Sequence, residues 1–69
     1  MLRYKVNILK KLKEAGYSSY RLRQEKILSE GTLQKMRSGN TAINLSSLGP
    51  VCKILHCQPG DLVEWVEEE

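Results

Sequence analysis

The chain has 69 residues, 41% of them hydrophobic, with no Phe and one Trp. That suits a single domain, spanning 1–69, near the lower size limit at which one core folds unaided. No apolar run is long enough to cross a bilayer, and the N-terminus lacks the uninterrupted apolar stretch of a signal peptide, so a cytoplasmic protein with no membrane partner is expected. The net charge of +3 is unevenly spread: residues 1–37 hold ten of the eleven Lys and Arg and three of the eight acidic residues. A basic half joined to an acidic end predicts a phosphate-binding face and a repelled far side, the plain alternative being an unevenly charged solvated surface.

Along the chain, the opening MLRYK reads as an arm with a short extended piece at residues 2–5. From Val6 to Ala15, Ile8, Leu9, Leu12 and Ala15 fall at helical spacing with Lys10, Lys11 and Lys13 on the outer face, solvated or, as the alternative, in contact with DNA. Gly16 stops this first helix, and Ser18 or Ser19 caps a second over Ser19–Glu25. The turn Lys26–Leu28 supplies two apolar residues that set the angle to a third helix, Glu30–Ser38, opened by Ser29 and closed by Gly39. Asn44 is the expected cap of a fourth helix reaching Leu55, in which Gly49-Pro50 either makes a kink or follows a restart at Ser47 or Leu48 with the proline in the first turn. Pro59 then opens a fifth helix to Val66, with Leu62, Trp65 and Val66 apolar, Asp61 favouring its N-terminal end, and an acidic tail, 67–69, that frays. The expected fold class is therefore all-α, a compact five-helix domain.

The informative stretch is about 18–39, SSYRLRQEKILSEGTLQKMRSG. Leu22, Ile27, Leu28, Leu33 and Met36 are available to pack two short helices together. The rest of the third helix is polar, small or basic, which leaves a groove-sized exposed face. This pattern resembles the helix-turn-helix of the Cro and repressor proteins, the lambda-repressor-like family. The block LSEGTLQKMRSG followed by INLSSLGPVCKILHCQPGDLVEW looks like the family's recognition helix, closing glycine and C-terminal helices. Two positions depart from it: the Ala common in the family's second helix and the Gly common in its turn fall on Arg23 and Ile27.

The resemblance implies a sequence-specific regulator of transcription that binds double-stranded DNA through the third helix. Carried over by position, Glu30, Gly31, Thr32, Gln34 and Lys35 approach base edges in the major groove. Ser29, the cap, would contact phosphate, with Ser18, Ser19, Arg21, Arg37 and Asn40 as further backbone contacts. A homodimer is expected, since one small module makes few contacts, with Leu62, Trp65 and Val66 as its interface; the equal alternative for Trp65 is that it caps the core. A repressor acting by operator occlusion, without cofactor or small-molecule substrate, is the expected mechanism. The alternative is a helix-turn-helix protein-interaction module of the antitoxin kind, which Glu30 and the acidic tail favour.

Cys52 and His56 lie four apart with Cys57 adjacent, which raises a metal site or a catalytic Cys–His pair. A structural zinc needs a second Cys or His cluster, and the chain has none, so Cys52 is expected in the core and no metal is expected. A catalytic pair would need an orienting acid and a pocket, so no enzyme is expected. Two cysteines are also too few for a disulfide framework and suit a reducing compartment.

Overall fold

Side-chain oxygens start the first three helices. In the computed structural model, which describes residues 1–67, Asn7 accepts from the Lys10 N–H at 3.1 Å and opens α1, Ile8–Glu14. The cap sits one residue after Val6, where the helix was expected to begin. Ser18 accepts from Arg21 N–H at 3.2 Å to open α2, Ser19–Gln24. Ser29 accepts from Thr32 N–H at 3.3 Å to open α3, Glu30–Ser38. Each oxygen satisfies a donor that the first turn cannot pair internally.

Helix ends follow an equally local rule, the left-handed residue that lets the chain fold back on its own last carbonyls. Gly16 at φ 92° ends α1, with Tyr17 N–H donating to Leu12 O at 2.8 Å. Gly39 at φ 81° ends α3, with Asn40 N–H donating to Lys35 O at 2.8 Å. Two other ends use residues that bear a Cβ clash in this conformation, Lys26 at φ 56° after α2 and His56 at φ 53° after α4.

The fourth helix resolves the Gly49-Pro50 question. A 3₁₀ turn, Leu45–Ser47, leads into α4, Leu48–Leu55. The helix restarts at Leu48, so Pro50 falls in its first turn, where a missing N–H costs nothing. Asn44 precedes the 3₁₀ turn, and its carbonyl, not its side chain, takes the Ser47 N–H at 2.9 Å.

Among the described residues the fold is not all-α, and it has four α-helices rather than five. Pro59–Asp61 forms one 3₁₀ turn, held by Gln58 N–H donating to the Asp61 carboxylate at 2.9 Å, and the chain then extends. Strand β1, Leu2–Tyr4, pairs antiparallel with β2, Val63–Trp65, in the register Leu2 opposite Trp65, Arg3 opposite Glu64 and Tyr4 opposite Val63. Val63 and Trp65 alternate with Glu64 as one side of a strand does, and the pairing available from the arm at residues 2–5 takes their backbone groups out of a helix. Arg3 and Glu64 face one another across the sheet at 2.6 Å, a cross-strand pair of opposite charge. Glu68 and Glu69, the end of the expected acidic tail, lie outside the described residues.

The core gathers Ile8 and Leu12 of α1, Leu22 of α2, Leu28 of the turn, Leu33 and Met36 of α3, Leu48 and Val51 of α4, and Leu62. No polar or charged side chain is buried among the described residues. Leu12, Leu22, Leu33 and Val51 are fully inaccessible to solvent, which fixes α2 and α3 against α1 and α4 and leaves the outer side of α3 uncovered. Cys52, expected in the core, is half-buried and packs on its edge.

Candidate nucleic-acid interface

The turn between α2 and α3 sets how α3 is presented. Lys26 N–H donates to Arg23 O at 3.1 Å and Ile27 N–H to Leu22 O at 2.9 Å, closing α2 with the reversed pair of bonds that a left-handed residue permits. The positive-φ position is thus Lys26, and the buried mid-helix residue is Leu22. Both lie one residue before Ile27 and Arg23, where the family resemblance put them. Arg23 is an exposed residue that reaches forward to Glu30 at 3.0 Å, tying the end of α2 to the start of α3. Leu28 buries, Ile27 packs beside it, and Ser29 begins the next helix.

With Leu33 and Met36 directed inward, α3 presents Gly31, Gln34, Lys35 and Ser38 to solvent. Gly31, Gln34, Lys35, Arg37, Ser38 and Asn40 line one shallow depression along its outer face. A Cβ built on Gly31 meets no atom within 4 Å, so the fold itself does not require glycine there. The Lys35 ammonium reaches the Ala42 carbonyl at 2.9 Å and retains donors for a further partner. Thr32 is half-buried, its hydroxyl 3.0 Å from that of Ser29. Glu30 is committed to Arg23 at the edge of the face.

The expected backbone contacts separate into two groups. Asn40 is built into the loop after α3: its carbonyl accepts from the Tyr4 hydroxyl at 2.7 Å and its side-chain oxygen from Ala42 N–H at 2.8 Å. Burial pushes the Tyr4 phenol above its ordinary range. Arg21 folds back on its own neighbourhood. Its guanidinium lies 4.1 Å from the Tyr17 ring centre, donates to Gly16 O at 3.0 Å and pairs with Glu25; the hydrogen bond to Glu25 raises its already high pKa. Arg37, by contrast, forms no ion pair among the described residues and stands exposed beside Ser38.

Two lysines for which the sequence left solvent or a DNA contact as alternatives lie next to this surface. Lys10 and Lys13 of α1 line a depression together with Ser19 and Arg37. Their spacing puts both on one side of α1, but that Arg37 meets them depends on how α1 packs on α3, which no local pattern records.

An exposed helix with hydrogen-bonding groups on its outer face, flanked by serines and cations, is of a kind that can enter a nucleic-acid groove and meet its phosphates. Residues 7–68 match the family described as Cro/C1-type HTH DNA-binding domain. The chain belongs to that family. Its family is thus one of helix-turn-helix DNA-binding domains. A relative from Bacillus subtilis (strain 168), named an uncharacterized HTH-type transcriptional regulator, YozG, is 40% identical over 43 residues, covering 61% of this chain and 51% of the relative. The chain thus matches about half the length of that curated relative. No solved structure matches.

Burial, with Cys52 beside it, pushes the Cys57 thiol up, which disfavours the thiolate that a nucleophile or metal ligand must be. No group of three metal-ligating side chains comes together among the described residues. No helix there is long and apolar enough to cross a membrane.

The expected dimer residues are split by the fold. Leu62 is 2% exposed and belongs to the core, so it offers no surface to a partner. Trp65 is 65% exposed, and its indole N–H donates to Glu67 at 3.1 Å. Val66 is half-buried.

Proposed function

We propose that this domain is a sequence-specific transcriptional regulator that represses by occupying an operator, with α3 in the major groove. The observation that carries the reading is the outer face of α3, where Gly31 and Gln34 stand clear of the fold, the Lys35 ammonium rests on the Ala42 carbonyl with donors to spare, and no hydrophobic side chain intrudes. Gln34 and Lys35 are suited to read adenine and guanine edges, Gly31 lets the backbone approach, and Thr32 and Glu30 flank the groove. Ser18, Ser19, Ser29, Arg37 and Asn40 then hold phosphates and fix register. Arg21, held by Tyr17, Gly16 and Glu25, is assigned to the fold.

A homodimer on a near-palindromic operator completes the proposal. Its seam is the outer end of the sheet, where Trp65 lies opposite Leu2, itself 50% exposed, with Val66 alongside. The site of action is the cytoplasm, and no cofactor takes part.

A salt titration of binding to random duplex tests the reading against the protein-interaction alternative, which Glu30 favours. Release of phosphate counterions should make log affinity fall linearly with log salt, by ~0.9 for each phosphate neutralised. Absence of duplex binding at low salt would favour a protein partner instead.

A further inference from the structure

Six of the cations outside the N-terminus illustrate how this surface treats charge. Arg3, Arg21 and Arg23 are each paired to a carboxylate, with Glu64, Glu25 and Glu30 respectively. Lys10, Lys13 and Arg37 have no such partner among the described residues, yet they line one depression between α1 and α3, with Ser19 at its wall and no acidic side chain. Three like charges brought together without a counter-ion repel one another, a cost that an external anion relieves. Arg37 also lines the depression on the outer face of α3, so the two surfaces are continuous through its side chain.

We infer that Lys10, Lys13 and Arg37 form one phosphate-binding site for the DNA backbone flanking the groove that α3 occupies. The inference rests on the DNA-binding reading above and extends its footprint to α1. The ligand is a backbone phosphodiester, held by ammonium and guanidinium donors with the Ser19 hydroxyl in reach of the same depression. Contacts of this kind carry no base preference. Lys10 and Lys13 therefore govern affinity and salt response, whereas the α3 face governs discrimination.

The test compares the wild-type chain with Lys10→Gln/Lys13→Gln and with Lys53→Gln, an exposed α4 lysine outside both depressions. Thermal melts first establish that each variant is folded. Affinity for a random-sequence duplex is then measured across a salt series. The double variant should flatten the log–log salt slope by ~0.9 to ~1.8, as one or two phosphates go unneutralised, while Lys53→Gln leaves it unchanged. Discrimination between a selected operator and random duplex should stay at the wild-type ratio. If the wild type binds duplex and the double variant keeps its slope, or changes it no more than Lys53→Gln does, the site is wrong although the DNA-binding reading stands. If the wild type binds no duplex, both fail together.

Discussion

At the scale of single residues, two backbone positions have opposite relations to the fold. Lys26 holds φ 56° at the turn between α2 and α3, a conformation that costs an L-residue about 1–2 kcal/mol where glycine is at ease. Lys26→Gly should stabilise the domain by roughly 0.5–1 kcal/mol once the looser unfolded chain is allowed for. For a domain of this size that is a rise of about 2–8 °C in Tm, readable by thermal denaturation; a fall would mean that the lysine side chain contributes more than its backbone costs. Gly31 has the reverse position: it sits in a helix with nothing near its missing Cβ. Gly31→Ala should therefore stabilise the fold by ~0.5–1 kcal/mol while weakening operator binding, because the added methyl lies on the face that approaches the bases. Tighter operator binding by that variant would contradict the docking of α3.

At the scale of elements, the helices were legible wherever a local signal fixed both ends. Ser18 and Ser29 open α2 and α3, and Gly16 and Gly39 close α1 and α3, by chemistry that needs no tertiary information. The last element was misread because Leu62, Trp65 and Val66 fit a helical spacing while Val63 and Trp65 equally fit a strand. Over so few residues the two periods are not separable. What decides between them is a partner about sixty residues away, Leu2–Tyr4, visible in the sequence only as an extended arm. The same distance hid the lysines of α1 beside Arg37.

The sheet is joined to α3 through the hydroxyl of Tyr4 on the Asn40 carbonyl, and this link should respond to pH. Burial raises the Tyr4 pKa above its ordinary 10.0, so the folded state holds the phenolic proton more tightly than the unfolded chain does. That contribution is fully present below the unfolded pKa and is lost as pH rises through the folded one. Denaturant melts between neutral pH and about pH 11 should show stability declining above pH ~10, with Tyr4→Phe less stable at neutral pH but flatter in the alkaline range. Parallel curves for the two proteins would remove Tyr4 as the source.

At the scale of the whole molecule, the domain is 41 Å along its longest axis, and the exposed pair Leu2 and Trp65 meets on the two-stranded sheet. A single module of this kind buries roughly 600–1,000 Å² on DNA, the small end for specific recognition. Two copies related by a two-fold axis would read half-sites about one helical turn, ~34 Å, apart. Glu67 beside Trp65 would repel its counterpart, whereas Glu64 is paired with Arg3, so the dimer should be weak and favoured by salt or by DNA. Folded Trp65→Ala should retain the affinity of the wild type for a single half-site but bind the full operator with less cooperativity. Unchanged cooperativity, measured by a gel shift over a concentration series, would move the seam elsewhere.

The central claim is that the outer face of α3 reads sequence, and it is tested most directly by discrimination. An operator is first selected from a random duplex library by the wild-type protein. The ratio of affinities for that operator and for random duplex is then measured at one salt concentration for wild type, Gln34→Ala and Lys35→Ala. Loss of a good base contact should cost ~1–3 kcal/mol of discrimination, a fall in the ratio of roughly 5- to 150-fold, with little change in binding to random duplex. If both variants keep the wild-type ratio, α3 is not the element that reads the operator.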